Sequence, residues 1–384
     1  MSDHTEHRWV TPFNAVAAMI MGVAAVILFL RFTQGLSATT NLTHDYPWGL
    51  WIGFDVMSGV ALAAGGFTMS AAVYLFGMKE YKPVVRPALL TAFLGYSLVV
   101  VGLLVDLGRP WRLPFPFFRQ AGPTSALFEV ALCVGLYLNV LFIESTPLAL
   151  EWLGFKKLRK IVASLTIALT VFGVILSTMH QSSLGALFAI TPTKLHPLWY
   201  SEHIPVHFFV SAVAAGISMV LVESALSHKV FHHLAETPPE QMDKITIGLA
   251  KGGAVVLVTY FAIKVVDLSL GDKWHYLGTG WGAWYLVELL GFVGLPCILY
   301  LIGFRERMPR LIRWTALWTV IGIMLNRFNV SFIAFNWQLE TRYVPHWMEI
   351  WVSVALVTGG IVVFRWIASR MPVLYEHPEY KGMH

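Results

Sequence analysis

The chain has 384 residues, 57% of them hydrophobic and only 13% charged, with a formal net charge of +5. Soluble domains carry about 25% charged residues, so this composition excludes a water-exposed fold and makes a bilayer the natural solvent. The basic residues fall in short loops and form no stripe, which argues against nucleic acid as a partner. Two cysteines, Cys133 and Cys297, are too few for an iron–sulfur cluster and poor material for a structural zinc site. Both lie in apolar runs and read as small buried hydrophobes. The first dozen residues are polar, and no small-residue cleavage site follows the first apolar run, so no signal peptide is expected.

A membrane-spanning helix needs about 20 mostly apolar residues. Ten runs qualify, at 13–34, 49–77, 87–107, 124–146, 160–181, 206–228, 247–268, 282–303, 311–335 and 349–368. The chain is therefore expected to be an all-α integral membrane protein, a single polytopic domain. Its functional core is expected at about 45–303, with the runs at 13–34, 311–335 and 349–368 peripheral. Pro47, Pro87, Pro110, Pro123, Pro205, Pro309 and Pro345 sit near run boundaries, where proline costs least. The second run is rich in small residues, with Gly59/Ala63 and Gly66/Ser70 spaced for close helix approach in lipid. Neither a low-complexity segment nor an internal repeat is evident.

With ten spans, both termini share a side. That side carries eighteen of the 27 basic residues, including Arg8 and Lys381, against seven on the other; Lys264 and Arg327 fall within spans. The excess places both termini in the cytoplasm. Trp48, Trp51, Trp111, Trp199, Trp274, Trp281 and Trp284 cluster at the opposite ends, as an aromatic belt would.

Charged side chains inside a membrane are costly and often functional. Asp55, Asp106, Glu129, His180 and His207 lie towards the outer ends of their spans, Tyr96 near mid-membrane, and Arg86 and Glu223 towards the cytoplasmic ends. The segment Thr178 to Gly185 closes the apolar run Ile161–Leu176. It puts an imidazole, an amide and hydroxyls where the chain is expected to leave hydrocarbon. Lys264 and Asp267, one turn apart, are expected to pair. Asp106 either pairs with Arg109 or acts on its own, and Glu144 and Glu288 read as interface residues. There is no phosphate-cradling loop, dinucleotide fingerprint or His-Glu-x-x-His pair, and no metal site is expected. A single haem between His180 and His207 stays open.

At this point the chain resembles the NrfD/polysulfide-reductase membrane subunits, and within them the HybB-type quinone-reactive subunits of nickel–iron hydrogenases. The matching stretches are Pro47-Trp48-Gly49-Leu50-Trp51-Ile52-Gly53-Phe54-Asp55, Val85-Arg86-Pro87-Ala88-Leu89-Leu90 with Gly95-Tyr96-Ser97-Leu98, and Asp106-Leu107-Gly108-Arg109. Further along come Leu127-Phe128-Glu129, Thr178 to Gly185 with His196-Pro197-Leu198-Trp199, and Glu223. The match thins after about residue 250.

The resemblance implies an NrfD-like bundle in the bacterial cytoplasmic (inner) membrane, without haem or iron–sulfur cluster. Such a subunit exchanges electrons between menaquinone or a related quinone and a periplasmic iron–sulfur partner docked to a catalytic hydrogenase or other oxidoreductase. It implies that His180, Asp106 and Glu129 sit near the quinone head group, with Trp111 and His207 completing the contact set. Asp55, Arg86, Tyr96, Glu129, His180 and Glu223 would form a proton path.

Elementary chemistry runs alongside. Quinone reduction takes up two electrons and two protons, and histidine is a rechargeable donor to a ring carbonyl. Moving a proton across the membrane against the potential costs about 2.3 kcal/mol per 100 mV. Two other classes remain open: a proton-coupled secondary transporter, which often shows internal repeats, and a membrane cytochrome b with one haem.

Overall fold

The computed structural model describes residues 11–119 and 121–380. Arg8 and Lys381 of the basic count lie outside the described residues. Among the described residues ten helices are long and apolar enough to cross a membrane: α1 (Pro12–Gln34), α2 (Trp51–Leu75), α3 (Lys79–Asp106), α4 (Ala126–Leu153), α5 (Lys156–Ala189), α6 (Ile204–Val230), α7 (Pro239–Leu270), α8 (Gly280–Arg305), α9 (Pro309–Ile333) and α10 (Trp347–Ala368). Each answers to one expected run. Among the described residues there is no strand, only one bridge between Leu195 and Phe335. Cys133 and Cys297 are buried and free.

Several helices outrun the apolar stretches that announce them. α4 continues to Leu153, α5 runs from Lys156 to Ala189, and α7 begins at Pro239. Hydropathy marks the hydrocarbon layer, whereas backbone hydrogen bonding continues into the head groups wherever the side chains turn polar. For the same reason Pro87 falls inside the third helix rather than at its start. The segment Thr178 to Gly185 is likewise no exit from the membrane. It lies wholly within α5, and His180 and Gln181 are fully buried.

α2 and α6 form the centre, with 72% and 67% of their apolar stretches buried. They cross where Gly65 and Gly216 back onto each other. A Cβ on Gly216 would stand 2.5 Å from the Gly65 nitrogen, so only hydrogen fits there. On its other side α2 packs against α3, where Gly59, Ala63 and Gly66 meet Val99, Gly95 and Ala92. That contact is the small-residue pattern of the sequence at work. α1 and α10 pair with each other at the edge, each with 17% of its apolar stretch buried. α9, expected beside them, has 61% buried and packs on α6, α8 and the start of α2. Its buried Asn326, Arg327 and Asn329 draw it inwards.

The described chain ends share one face, here the basic face. Phe13 at the start of α1 sits under the guanidinium of Arg365 near the end of α10, 4.3 Å from its ring centre. The segment after α10 folds back over the same face, pairing Glu376 with Lys82 at 3.0 Å and Glu379 with Lys156 at 2.7 Å.

Because the central crossing has no spare volume, Gly216→Val should cost at least about 1–3 kcal/mol of overpacking. Thermal unfolding of the detergent-solubilised variant should show a clearly lowered midpoint; an unchanged midpoint would refute so close a contact.

Candidate functional site

α2 opens with a wide π-helical turn over Trp51–Ser58, in which the Gly59 amide reaches back to the Phe54 carbonyl. Such turns re-aim side chains and are frequent at functional sites. Asp55 lies in this turn. Its Oδ2 accepts a hydrogen bond from Ser353 of α10 at 2.6 Å. Gly102 of α3 backs it so closely that a Cβ there would stand 3.1 Å from the Asp55 Cβ. Asp106 follows one turn later on α3, with Oδ1 buried and unpartnered.

The alternative pair of Asp106 with Arg109 is not formed among the described residues. Arg31 of α1 closes the end of α3 instead, donating to the carbonyls of Val105 at 2.7 Å and Leu107 at 2.6 Å. Glu349 stands close by, fully buried. Its Oε1 accepts from the amides of Asn41 and His346, and Tyr343 donates to its Oε2. Three carboxyls and one guanidinium thus gather at this end of α2, α3 and α10. Arg31, Ser353, Tyr343 and Glu349 carried no signal beyond being polar residues in or beside apolar runs.

Deeper in the bundle, His180 of α5 meets Tyr96 of α3, with Nδ1 3.0 Å from the phenol oxygen. Both are fully buried, about nine or ten residues inside their helix ends and so roughly 15 Å from them. Tyr137 of α4 stands edge-on to Tyr96, with ring centres 4.7 Å apart. Gln181 donates to the Val60 carbonyl of α2 at 3.0 Å. Among the described residues His180 Nε2 and Gln181 Oε1 are buried without a hydrogen-bond partner, and the Ser177 hydroxyl stands near those of Tyr96 and Tyr137. Buried polar atoms are normally paired, so unpartnered ones in one neighbourhood set this part of the bundle apart from its ordinary core.

A cleft of about 580 Å³ runs along the outside of this half, between α1, α2, α3, α6 and α10. Its walls are mostly apolar, with Asp55 towards one end and Glu223 and Arg365 towards the other. Glu223 accepts from Ser227 at 2.5 Å through Oε1. Its Oε2 and the nearby Thr91 hydroxyl are buried and unpartnered. Neither His180 nor the other expected head-group residues line this cleft.

The expected residues thus fall into groups. Asp55 meets Asp106, Tyr96 meets His180, and Asp55 shares the cleft with Glu223. Arg86 is held apart, in a bidentate pair with Glu151 at 2.9 and 3.0 Å and bonded to the Pro372 carbonyl at 2.9 Å. Arg159 binds the same carboxylate at 2.8 Å. Glu129 is half-buried in the first turn of α4, where a helix dipole favours an acid. Trp111 is 70% exposed and turned outward. His207 lies on the far side of α6, its ring 6.3 Å from that of Tyr260 on α7.

The family described as Polysulphide reductase, NrfD matches residues 38–336. This chain belongs to the NrfD family. It is 56% identical over 384 residues to a protein of Nitratidesulfovibrio vulgaris (strain Hildenborough), covering 99% of each chain. It is 31% identical to the probable Ni/Fe-hydrogenase 2 b-type cytochrome subunit of Escherichia coli (strain K12), covering 93% of this chain and 92% of that one. It is 28% identical to the integral membrane subunit of menaquinone reductase from N. vulgaris (strain Hildenborough), covering 90% and 87%.

The other half of this NrfD chain is polar in a different way. Lys264 does not pair with Asp267. It reaches across to Glu288 at 2.8 Å, while Asp267 takes Lys273 at 2.7 Å and the Ser201 hydroxyl at 2.5 Å. Glu288, expected as an interface residue, is a fully buried hub. It accepts from Lys264 and Asn326 at 2.8 Å on one oxygen, and from Trp199 at 2.7 Å and Asn329 at 2.5 Å on the other. Arg327 joins through Asn326 at 2.7 Å and stacks on Phe208, 3.9 Å from the ring centre. Glu144, by contrast, does bridge helices, accepting from Thr170 at 3.2 Å.

A haem held by two imidazoles needs both to face one cavity. His180 turns to Tyr96 on α3 and His207 to Tyr260 on α7. Neither lines the cleft, so these residues do not fit a bis-histidine site. No group of three or more His, Cys, Asp or Glu suited to a metal occurs among the described residues.

Two consequences follow for the second half. Removing Glu288 strands a buried ammonium, so Glu288→Ala should cost about 3–5 kcal/mol. A large fall in the unfolding midpoint is expected, and a near-neutral effect would show the hub to be hydrated. Outside the spans, His196 is buried among Trp199, Tyr276, Trp281 and Trp337, and burial pushes its imidazole down to about 4. The unfolded chain therefore binds the extra proton first, and stability falls as pH drops from about 6.5 to about 4. Acid titration followed by tryptophan fluorescence should show this loss in the native protein and a flatter curve in His196→Phe; identical curves would contradict it.

Proposed function

We propose that this chain is the quinone-reactive membrane subunit of a respiratory oxidoreductase complex, a nickel–iron hydrogenase in the first instance. The observation that carries the reading is the buried Tyr96–His180 pair, with Nε2 of the imidazole unpartnered. It gives the bundle a proton donor that can be recharged inside hydrocarbon. The quinone takes two electrons from an iron–sulfur partner docked on the face opposite the basic one, and two protons through the bundle, to give the quinol.

In this reading His180, Asp106 and Glu129 serve the ring, with Trp111 and His207 at the margin of the site. Asp55, Tyr96, Glu129, His180 and Glu223 relay protons, and Arg86 holds the basic-face end of the route through its pair with Glu151. The menaquinone reductase relative supports menaquinone as the quinone, and the hydrogenase relative supports hydrogenase as the partner. The excess of basic residues supports a bacterial inner-membrane orientation with the basic face in the cytoplasm. The separate settings of His180 and His207 support a chain that works without haem.

Removing a positioned general acid–base group costs about 10²–10⁴-fold in rate. In the purified complex His180→Ala should lose quinone turnover by about that factor, while reduction of an artificial dye by the catalytic subunit persists. Quinone turnover that survives the substitution would refute the role.

A further inference from the structure

The cleft on the outer side of α2 and α3 is not where the imidazole lies, and its shape needs its own account. Five helices frame it, two of them the edge pair α1 and α10. Leu226, Val230, Val357 and Ile361 line it and are exposed on the bundle surface, so it opens sideways to the bilayer. Its volume of about 580 Å³ falls within the ~300–1,000 Å³ typical of small-molecule sites.

Its one carboxyl towards the outer end is Asp55, set in the π-helical turn a little more than one turn inside α2. Ser353 occupies Oδ2, while Oδ1 takes no hydrogen bond and is not sealed off. The ligand that suits these walls is long, apolar, drawn from the bilayer and tipped by a neutral hydrogen-bonding group. An anionic head would meet Asp55, Asp106 and Glu349 against Arg31 alone, and is disfavoured there.

We propose that the cleft docks an isoprenoid quinone, its ring at Asp55 and its tail lying along α10 towards Phe364. The quinol hydroxyl donates to Asp55 Oδ1, and Ser353 fixes the carboxyl's orientation. The edge helices α1 and α10 then have a purpose: they turn the outside of α2 and α3 into a berth with a side door to the lipid. This rests on the quinone-reactive reading and adds to it where the ligand waits and which carboxyl first meets its ring.

The test uses the intact complex and a photoreactive azido-isoprenoid quinone. Label is expected on the stretches 54–58 and 356–360. Val357→Trp fills the cleft from an exposed position on an edge helix, so the fold tolerates it. It should weaken that labelling and raise KM for the quinone by about tenfold, with dye-linked activity unchanged. Asp55→Ala should lower labelling as well, and Asp55→Asn should restore part of it through its amide, which donates to a quinone carbonyl and accepts from a quinol hydroxyl. Label confined to α5 around His180, with KM untouched by Val357→Trp, would overturn the berth and leave the quinone-reactive reading standing. A phospholipid retained in the cleft, seen by native mass spectrometry with its head at Arg365 while quinone turnover is normal, would overturn it too. A complex that neither labels nor turns over quinone would sink both.

Discussion

Hydrocarbon offers no water to satisfy a polar group, and this one constraint sorts the interior of the bundle. A buried donor or acceptor must find a partner within the protein or remain costly. Where a carboxylate is fully partnered, as at Glu288, it reads as scaffold: it receives four donors from α7, α9 and the loop before α6, and locks α9 into the centre. Elsewhere atoms find no partner among the described residues, as at His180 Nε2, Glu223 Oε2 and Asp106 Oδ1, and their burial stays uncompensated within the protein. These orphans concentrate in the half built by α2 to α6.

The geometry of that half follows from small residues. Glycine against glycine lets α2 and α6 touch backbone to backbone, and the α2–α3 contact is nearly as close. Tight packing there buries the Tyr96–His180 pair completely. The looser fit of α1 and α10 on the outside leaves the cleft. One bundle thus holds a sealed Tyr96–His180 pair and a lipid-facing recess on the outside of α2 and α3. Asp55 and Asp106 sit at the end that Arg31 closes.

The ten spans were legible because twenty apolar residues in a row have few other uses. The helix ends were not, since hydropathy stops at the hydrocarbon boundary and the hydrogen-bond ladder does not. His180, Tyr96, Asp55 and Glu223 stood out as ionisable or phenolic groups in apolar runs, and the fold does bury them. Their partners were illegible. Sequence proximity suggested Lys264 with Asp267 and Asp106 with Arg109, but side chains on one helix surface compete with groups that cross from another. Lys264 finds Glu288 and Asp267 finds Lys273, while the end of α3 is closed by Arg31, more than seventy residues away in the chain. One clue existed: Lys264 and Arg327 fall within expected runs and count towards neither face, and a buried cation needs a buried carboxylate, which Glu288 supplies to Lys264. The inward position of α9 had the same clue in Arg327.

The central claim is that proton traffic during quinone chemistry uses the unpartnered groups of the α2–α6 half and leaves the fully bonded Glu288 carboxylate alone. Redox-difference infrared spectroscopy of the intact complex reads it directly, because a carboxyl that changes protonation or hydrogen bonding moves its C=O band. The account predicts a carboxyl band on quinone reduction that disappears in Glu223→Gln and persists in Glu288→Gln. A band that survives the first substitution and vanishes with the second would contradict it.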